Sequence, residues 1–355
     1  MVKIDKKKIG IILLSLIIVT LGFFGGLLIF SETDTGGKND KFYNENDPIK
    51  IIDGAGRSVS FPEPAKTVAT SWGGVVDSYL FSLGLTENIV ATKSRNNMHK
   101  LCMENMDEIP SVGQWDLDEE KLASIQPDVY LHSAVAIESL NGANKVNVRA
   151  VGLNFNKMSD IASGYDILGK IFGVEDRVAY LMYYYNSILD IVEEQVSEIP
   201  ADMKKRVVVL GHSQGEIASS PISTIEEMIV LSGGISCVPA EVLETSNTNV
   251  GEEMIFKWNP DIIFIQENVG PFTPDTLYQN PNWASLTAVS NKQVYAIPCV
   301  ADSWSSPSIS SCLGVLYMAS KMYPEKFDNI NYEDIVIKFY KDVYNLELTQ
   351  SELGF

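Results

Sequence analysis

The sequence predicts an α/β protein with two Rossmann-like lobes, each built on a parallel sheet, joined by one long linking helix. Three observations predict this class: a segment that occurs twice, strands that alternate with helices, and a long helical run between the two halves. Alternation of this kind is typical of parallel sheets that are covered by helices on both faces. With 355 residues, of which 45% are hydrophobic, the chain is large enough to form two such lobes.

The repeated segment reads EKLASIQPDVYL at residues 120–131 and EMIFKWNPDIIF at residues 253–264. Each copy begins with a Glu on a short amphipathic helix, continues with a Pro-Asp pair that ends the helix, and finishes in a β-branched and aromatic strand. The Glu suits the positive end of the helix dipole. The copies lie too far apart for a solenoid repeat, so they indicate two equivalent lobes with a cleft between them.

The remaining elements follow the same alternation on each side of the long helix. Residues 49–61 contain a glycine-rich turn between two short β-type runs, which predicts a β-hairpin before the first set of strands and helices. Apolar residues at helical spacing predict the long helix at residues 175–198, and a second alternating set begins at residue 206. The chain therefore divides into a basic tip (1–8), a transmembrane anchor (9–30), a flexible linker (31–47), an N-terminal lobe (48–165), the linking helix (166–200) and a C-terminal lobe (201–355).

The first residues predict a membrane anchor. Lys3, Lys6, Lys7 and Lys8 precede residues 9–30, which carry no charge and are long enough to cross about 30 Å of hydrocarbon as a helix. The Lys excess places the N-terminus in the cytosol and the rest of the chain outside the cell membrane, as a single-pass protein. A cleaved signal peptide is the alternative, although its apolar region is usually shorter.

The overall composition excludes some functions. A formal net charge of −19 argues against a nucleic-acid partner, because binding to phosphates requires a basic surface. The four cysteines form no CxxC pair, which argues against a zinc knuckle or a redox motif. Their irregular spacing leaves open whether any of them form a disulfide.

One motif suggests an enzyme. The segment GHSQG at residues 211–215 follows a predicted strand and matches the nucleophile elbow of a serine hydrolase, with Ser213 as the nucleophile. In that fold the catalytic His comes after the Ser, whereas all three His residues of this chain precede Ser213. Pro221 also interrupts the helix that should follow the elbow. We therefore predict that the protein is not an enzyme, and we keep a surface hydrolase as an alternative.

Two histidines are candidate ligand-binding residues. His132 and His212 each follow a predicted strand, one in each lobe, and the carboxyl ends of parallel strands face the ligand crevice. We expect the two side chains to face the cleft from opposite sides, where either could act as an axial ligand to a chelated metal. No cluster of His, Cys, Asp and Glu has the spacing of a bare metal site.

Aromatic and basic loop residues complete the predicted site. Trp72, Trp115 and Trp304 lie in Gly-, Ser- or Asp-rich loops, from which aromatic rings can stack on flat or macrocyclic ligands. Trp304 is the strongest of the three candidates because its neighbours are too polar to form core. Arg95 is a candidate partner for an anionic group of the ligand.

Several further segments occur in a fixed order along the chain: DGAGR (53–57), GQW (113–115), NPNW (280–283), WSSPS (304–308) and YPEKF (323–327). Together with the two repeat copies, they resemble the class III substrate-binding proteins of ABC importers, which serve iron–siderophore, haem and cobalamin uptake. The resemblance extends from about residue 49 to the C-terminus and is closest to the haem/metal-chelate branch.

This resemblance implies an extracytoplasmic receptor that holds an iron-type chelate in the cleft, has no cofactor of its own, and delivers the chelate to an ABC permease and its ATPase. In this family one surface Glu on each lobe docks on the permease, and these positions correspond to Glu120 and Glu253. The chain departs from the family at Thr67, where an Arg is common, and it lacks the lipid-accepting Cys. A receptor for a bare divalent metal ion remains an alternative.

Overall fold

The computed structural model describes residues 41–220, 223–244, 248–266, 272–299 and 301–353. The basic tip, the predicted transmembrane anchor and most of the predicted linker lie outside these residues. No helix in the described part of the chain is long and apolar enough to cross a membrane.

The N-terminal lobe contains an antiparallel hairpin and a four-stranded parallel sheet, and the parallel sheet agrees with the sequence-based prediction. The order in the sheet is β4-β3-β5-β6. Its strands are short, mainly apolar and largely buried, as expected for a sheet that is covered on both faces. The strands are β1 (Ile49–Ile52), β2 (Ser58–Phe61), β3 (Val68–Thr70), β4 (Ile89–Ala91), β5 (Val129–Ser133) and β6 (Arg149–Leu153), and the helices are α1 (Gly73–Leu83), α2 (Asn97–Cys102), α3 (Glu119–Ile125), α4 (Ile137–Lys145) and α5 (Ser159–Phe172).

The C-terminal lobe repeats this topology. Its parallel sheet has the order β10-β9-β7-β8, so that β7 to β10 correspond one by one to β3 to β6. The two α/β lobes with parallel sheets are therefore confirmed. The strands are β7 (Arg206–Leu210), β8 (Ile235–Ser236), β9 (Ile262–Ile265) and β10 (Val294–Ala296), and the helices are α7 (Thr224–Leu231), α8 (Ala240–Glu244), α9 (Glu252–Trp258), α10 (Pro274–Gln279), α11 (Thr287–Ser290), α12 (Ser311–Met322), α13 (Pro324–Phe327) and α14 (Tyr332–Tyr344).

The linking helix is α6 (Glu175–Val196), which ends two residues before the predicted end. The predicted linking segment 166–200 begins too early, because residues 166–172 belong to α5. Gly173 separates the two helices in a left-handed conformation (φ 68°), which glycine adopts readily. Arg177 connects α6 to both lobes: its Nε donates to the Ser82 carbonyl (2.9 Å) and its Nη2 donates to the Val343 carbonyl (2.6 Å).

The two copies of the repeat form equivalent structures. In each copy a short helix ends at a left-handed residue, Gln126 (φ 48°) or Asn259 (φ 43°), directly before the Pro-Asp pair. The Asp then binds the backbone at the start of the neighbouring strand. Asp128 Oδ2 accepts hydrogen bonds from the Thr67 backbone N–H (2.9 Å) and side chain, and Asp261 Oδ2 accepts one from the Arg206 backbone N–H (2.8 Å). Thr67 and Arg206 therefore occupy corresponding positions in the two lobes.

The largest buried cluster continues from one lobe through the linking helix into the other. It includes Tyr79 and Tyr165 of the N-terminal lobe, Leu181 and Tyr185 of α6, and Leu313 of α12. Each lobe has a further cluster on the opposite face of its sheet. Because the lobes share a core, we expect relative movement to be restricted to small hinge motions.

Candidate functional site

The carboxyl ends of the strands in each sheet form one edge, and open α/β sheets bind ligands there, at the point where the strand order reverses. In the N-terminal lobe the order reverses between β3 and β5. Trp72 follows β3 and His132 lies at the end of β5, so the two residues flank the reversal. The fold thus places two of the sequence-predicted residues where a ligand is expected.

A cavity of about 410 Å³, the central cavity, lies where loops of the two lobes meet. One wall is formed by the beginning of α1 and by the loop before α2, and the other by the loop between β10 and α12. The N-terminal lobe contributes Gly74, Val75, Ser78, Asn96 and Asn97, and the C-terminal lobe contributes Cys299, Ala301, Asp302, Ser303, Ser306 and Ser308. The described lining residues therefore bring hydroxyl and amide side chains and one carboxylate to the cavity, although most of its surface is apolar.

Asp302 is held by two hydrogen-bonded relays. Its Oδ1 accepts the phenol proton of Tyr340, whose oxygen accepts a hydrogen bond from Trp304 Nε1 (2.8 Å). Its Oδ2 accepts the hydroxyl proton of Ser310, which lies 3.2 Å from the Tyr344 oxygen. Burial raises the pKa of Asp302 above its usual value, although the hydrogen bonds from Ser310 and Tyr340 act in the opposite direction.

The position of Trp304 corrects a prediction. Its neighbours in sequence are polar, yet the side chain is only 2% exposed and belongs to the main core. The polar neighbours Asp302, Ser303, Ser306 and Ser308 line the central cavity instead. The indole therefore packs behind the cavity wall and orients Tyr340, so it is not placed to stack on a ligand.

A second cavity of about 410 Å³, the side cavity, lies at the carboxyl end of β5. Trp115 and His132 both line it, together with the exposed apolar side chains of Val135 and Ile137. His132 is fully buried, and its Nδ1 accepts the Ser133 backbone N–H (2.6 Å). The proton of the neutral ring is therefore on Nε2, for which the described residues offer no partner with hydrogen-bond geometry. Burial lowers the pKa of His132, and the backbone of Gln114 and Trp115 partly offsets this shift.

Two tryptophans connect the neighbourhoods of the two cavities. Trp72 precedes the wall of the central cavity at the start of α1, and its ring centroid lies 5.7 Å from that of Trp115. Trp115 is 61% exposed, whereas Trp72 is half-buried against Phe155. The two rings therefore contact each other near the start of α1, and their contact with a ligand stays a prediction.

The guanidinium of Arg95 has a structural role. It donates to the backbone carbonyls of Thr92 (3.0 Å), Ser94 (2.7 Å) and Ile109 (2.6 Å), so it stabilises the loop after β4. It is not among the residues that line the central cavity. The expectation that Arg95 pairs with an anionic ligand is therefore not supported by its geometry.

His99 lies fully buried in α2. Its Nε2 lies 2.7 Å from Asp77 Oδ2, and its Nδ1 lies 2.6 Å from Asn96 Oδ1. Asn96 also caps α2 by accepting the His99 backbone N–H (3.1 Å). This buried network supports the Asn96 wall of the central cavity. The sequence showed no signal for it, because Asp77 is on a different helix.

His212 and Ser213 are exposed in a turn that follows β7. The chain folds back at once, since the Gly211 N–H donates to the Glu216 carbonyl (2.9 Å) and the His212 N–H donates to Glu216 Oε2 (3.2 Å). A nucleophile elbow would lead directly into a helix, but the next helix begins at Thr224. The geometry therefore gives no support to a hydrolase site at Ser213.

The two candidate docking residues are equivalent in structure. Glu120 and Glu253 are both exposed and are each the second residue of a helix, α3 or α9. The preceding Glu in each helix contacts its own lobe: Glu119 lies 3.4 Å from Lys145 Nζ, and Glu252 accepts a hydrogen bond from Trp283 Nε1 (3.0 Å). The second Glu is thus left on the surface of each lobe.

The donor set of the site does not resemble a bare metal centre. Within the described ranges, no group of three or more His, Cys, Asp and Glu side chains could hold a metal ion. The functional candidates that the sequence missed are Asp302 and Ser308, which follow β10 in the wall of the central cavity. Their position at a strand end was the available signal.

Comparison with known proteins decides the class of the molecule. A model of the periplasmic binding protein family matches residues 68–301, from the start of β3 to the wall of the central cavity. The chain belongs to this family. Periplasmic binding proteins of this kind are solute-binding components of ABC importers, which work with a permease and its ATPase, and they are not enzymes. Their binding domains are extracytoplasmic.

The curated relatives are named for metal-containing solutes. The molybdate-binding protein MolA of Haemophilus influenzae is 19% identical over 247 residues, which cover 63% of this chain and 69% of MolA. The Fe(3+)-citrate-binding protein YfmC of Bacillus subtilis is 23% identical over 222 residues, which cover 60% of this chain and 67% of YfmC.

Solved structures of periplasmic binding proteins share the fold. A periplasmic solute-binding protein from Veillonella parvula superimposes with a TM-score of 0.73 at 22% identity, covering 86% of this chain and 95% of that one. CeuE of Helicobacter pylori, in complex with Ni-His, superimposes with a TM-score of 0.70 at 21% identity, covering 86% and 97%. The resemblance to class III substrate-binding proteins is confirmed.

Proposed function

We propose that this protein is the receptor of an ABC importer for an iron-type chelate, such as a siderophore complex, haem or cobalamin. The observation that carries the proposal is the central cavity between the lobes, next to the Trp72–Trp115 pair. An aromatic surface beside a largely apolar cavity with hydroxyl, amide and carboxylate side chains suits a ligand with an organic framework and polar metal-binding groups. The protein itself contributes no chemistry and needs no resident cofactor, since the metal arrives as part of the cargo.

The contacts of such a chelate follow from the geometry. The exposed ring of Trp115 offers a stacking surface, and His132 Nε2 lies buried beside it in the side cavity. A buried donor without a protein partner is stabilised when a ligand atom accepts its hydrogen bond. The names of MolA, YfmC and CeuE support a metal-containing ligand, but they differ in which one.

The permease side of the function rests on the equivalence of α3 and α9. We propose that Glu120 and Glu253 dock on basic surfaces of the permease, one from each lobe, because both are exposed at corresponding positions. We further propose that the apolar segment 9–30 anchors the receptor to the cell membrane. A mature N-terminus near residue 32, determined by mass spectrometry, would contradict the anchor.

The function is tested by ligand titration of the full chain. Ferric siderophore complexes, haem and cobalamin are each titrated while tryptophan fluorescence is recorded, and free Zn²⁺ and Mn²⁺ serve as the comparison. We expect saturable quenching by at least one chelate and none by the free ions, because the described donor set is not a metal centre. Saturable binding of the free ions alone would favour a receptor for a bare metal, and covalent labelling of Ser213 by a serine-directed probe would favour the hydrolase.

A further inference from the structure

Among the described residues that line the central cavity, the single charged side chain is an acid. Asp302 lies in that lining with serines, asparagines and small residues, and no Lys, Arg or His is among these described residues. Within the described part of the chain, Asp302 is also absent from every ion pair. A half-buried carboxylate without a cationic partner is in an unfavourable electrostatic environment, and a positive charge in the cavity would relieve it.

The relays behind Asp302 orient its carboxylate towards the cavity as an acceptor. The indole of Trp304 can only donate, so the Tyr340 oxygen accepts from it and the single phenol proton goes to Asp302 Oδ1. Ser310 supplies a second hydroxyl proton to Oδ2. Both bonds come from buried residues that are not in the lining, and a carboxylate oxygen can accept more than one hydrogen bond.

A second side chain in the same wall also lacks a partner. Ser308 is only 3% exposed, and its hydroxyl oxygen makes no hydrogen bond with the described residues, although it lines the central cavity. A buried hydroxyl without a partner is unfavourable, and a ligand group in the cavity would satisfy it. Asp302 and Ser308 thus present an acceptor and a hydroxyl to the same space.

We propose that Asp302 and Ser308 form a subsite for a positively charged group of the solute, such as an ammonium or a coordinated metal centre with N–H or O–H ligands. The inference rests on the proposed receptor function and narrows it: the solute is a neutral or cationic chelate that presents donors to the C-terminal wall. A multiply charged anion would meet the Asp302 carboxylate with no cation in the described lining to offset it.

Two inert cobalt complexes of opposite charge test the subsite. Hexaamminecobalt(III) and hexacyanocobaltate(III) share a metal and a geometry, and neither exchanges its ligands during a titration. We expect the full chain, at about 0.15 M salt so that surface charges are screened, to bind the ammine complex saturably and the cyanide complex at least tenfold more weakly. Isothermal titration calorimetry measures both affinities.

Variants assign the effect to the subsite. Asp302→Asn should weaken binding of the ammine complex by roughly tenfold to a hundredfold, the usual effect of losing a hydrogen bond to a charged group. The exposed Asp328→Asn, which removes the same charge outside the cavity, should leave it unchanged. Ser308→Ala is a second variant that should fold normally, since its hydroxyl has no partner in the described fold, and it should weaken binding severalfold.

The outcomes separate the subsite from the function. Equal affinities of Asp302→Asn and Asp328→Asn for the ammine complex, tight binding of the cyanide complex, or no saturable binding of the ammine complex to the parent chain would each overturn the subsite. The receptor function is decided independently by the ferric chelate titration. If a ferric chelate binds the parent chain in that titration and Asp302→Asn does not alter its affinity, the receptor function is supported and the proposed subsite is wrong.

Discussion

The two walls of the crevice come from lobes with the same topology, yet they differ in chemistry. Beside the central cavity, the N-terminal lobe has the Trp72–Trp115 pair, of which the Trp115 ring is exposed, and a buried histidine in the side cavity. In the C-terminal wall the tryptophan turns inward, and an acid and several serines face the cavity. Equivalent sheets therefore position unlike loops, so the scaffold determines where a ligand binds and the loops determine what binds.

The outer surfaces of the two lobes, in contrast, resemble each other. The helices α3 and α9 keep the same arrangement of one Glu that contacts its own lobe and one exposed Glu, and both lead through Pro-Asp into a central strand. A permease that contacts both lobes would meet similar surfaces, whereas the solute meets two different ones. We therefore expect substitutions of Glu120 and Glu253, the rim residues of the two lobes, to have matching effects. Substitutions in the two walls of the crevice should have different effects.

The largest expected effect concerns the rim. Reversing both charges, Glu120→Lys with Glu253→Lys, should abolish transport, because basic docking surfaces would then repel the receptor. Ligand affinity should change by no more than about twofold, since rim charges act mainly on partner association. Uptake assays in cells and titration of the purified protein measure the two quantities. Single reversals should impair transport to similar extents, and a clear inequality would contradict the equivalence of the lobes.

The next effect concerns stability. Trp304→Ala should lower the free energy of unfolding by about 3–5 kcal/mol, because it removes a buried ring and the donor that orients Tyr340. Trp115→Ala should change it by no more than about 0.5 kcal/mol, since that ring is mostly exposed. Denaturant unfolding compares the two variants. Similar losses in both would show that the two walls do not differ as described.

In ligand binding, Trp115→Ala should have a larger effect than Trp304→Ala, which is the opposite of their order in stability. Trp115→Ala should weaken binding of the cognate chelate by about 1–3 kcal/mol, through loss of a stacking surface. Tyr183→Ala is the matched control, because Tyr183 is an exposed aromatic residue on the linking helix that lines neither cavity. Unchanged affinity in Trp115→Ala would show that the ligand does not contact the Trp72–Trp115 pair.

The smallest effect is a pH dependence of stability in the C-terminal wall. The pKa of Asp302 is raised by burial, so the folded state holds its proton more tightly than the unfolded state does. Its contribution to stability is therefore fully present below the ordinary Asp pKa of about 4, and it is lost as the pH rises through the raised pKa. The groups that face Asp302 do not titrate in this window, because the pKa values of Cys102, Tyr165, Cys312, Tyr340 and Tyr344 are all raised.

Unfolding measured from pH 3 to pH 8 checks this expectation. The stability of the parent chain relative to Asp302→Asn should fall with rising pH, and Asp328→Asn should show no such trend. A cationic ligand should reverse the loss, because it stabilises the charged carboxylate. A relative stability that rises with pH would show that the relays outweigh burial.

Much of the scaffold followed from the sequence alone, because it depends on local chemistry. Pro-Asp after a short amphipathic run fixes the end of a helix and the start of a strand, and helical spacing over residues 175–198 fixes the linking helix. The position of Trp72 and His132 at strand ends followed from the alternation of strands and helices. Each of these patterns depends on residues that are close together in the sequence, so no tertiary contact is needed to interpret it.

The chemistry of the crevice was decided by the tertiary structure. The polar segment around Trp304 predicted an exposed ring, but α14 supplies Tyr340 as a distant hydrogen-bond partner that keeps the indole in the core. Arg95 is occupied by carbonyls of its own loop and of Ile109, and His99 pairs with an acid from another helix. The sequence determined where the strands end and therefore where the ligand crevice lies, and contacts between residues far apart in the chain determined which side chains face it.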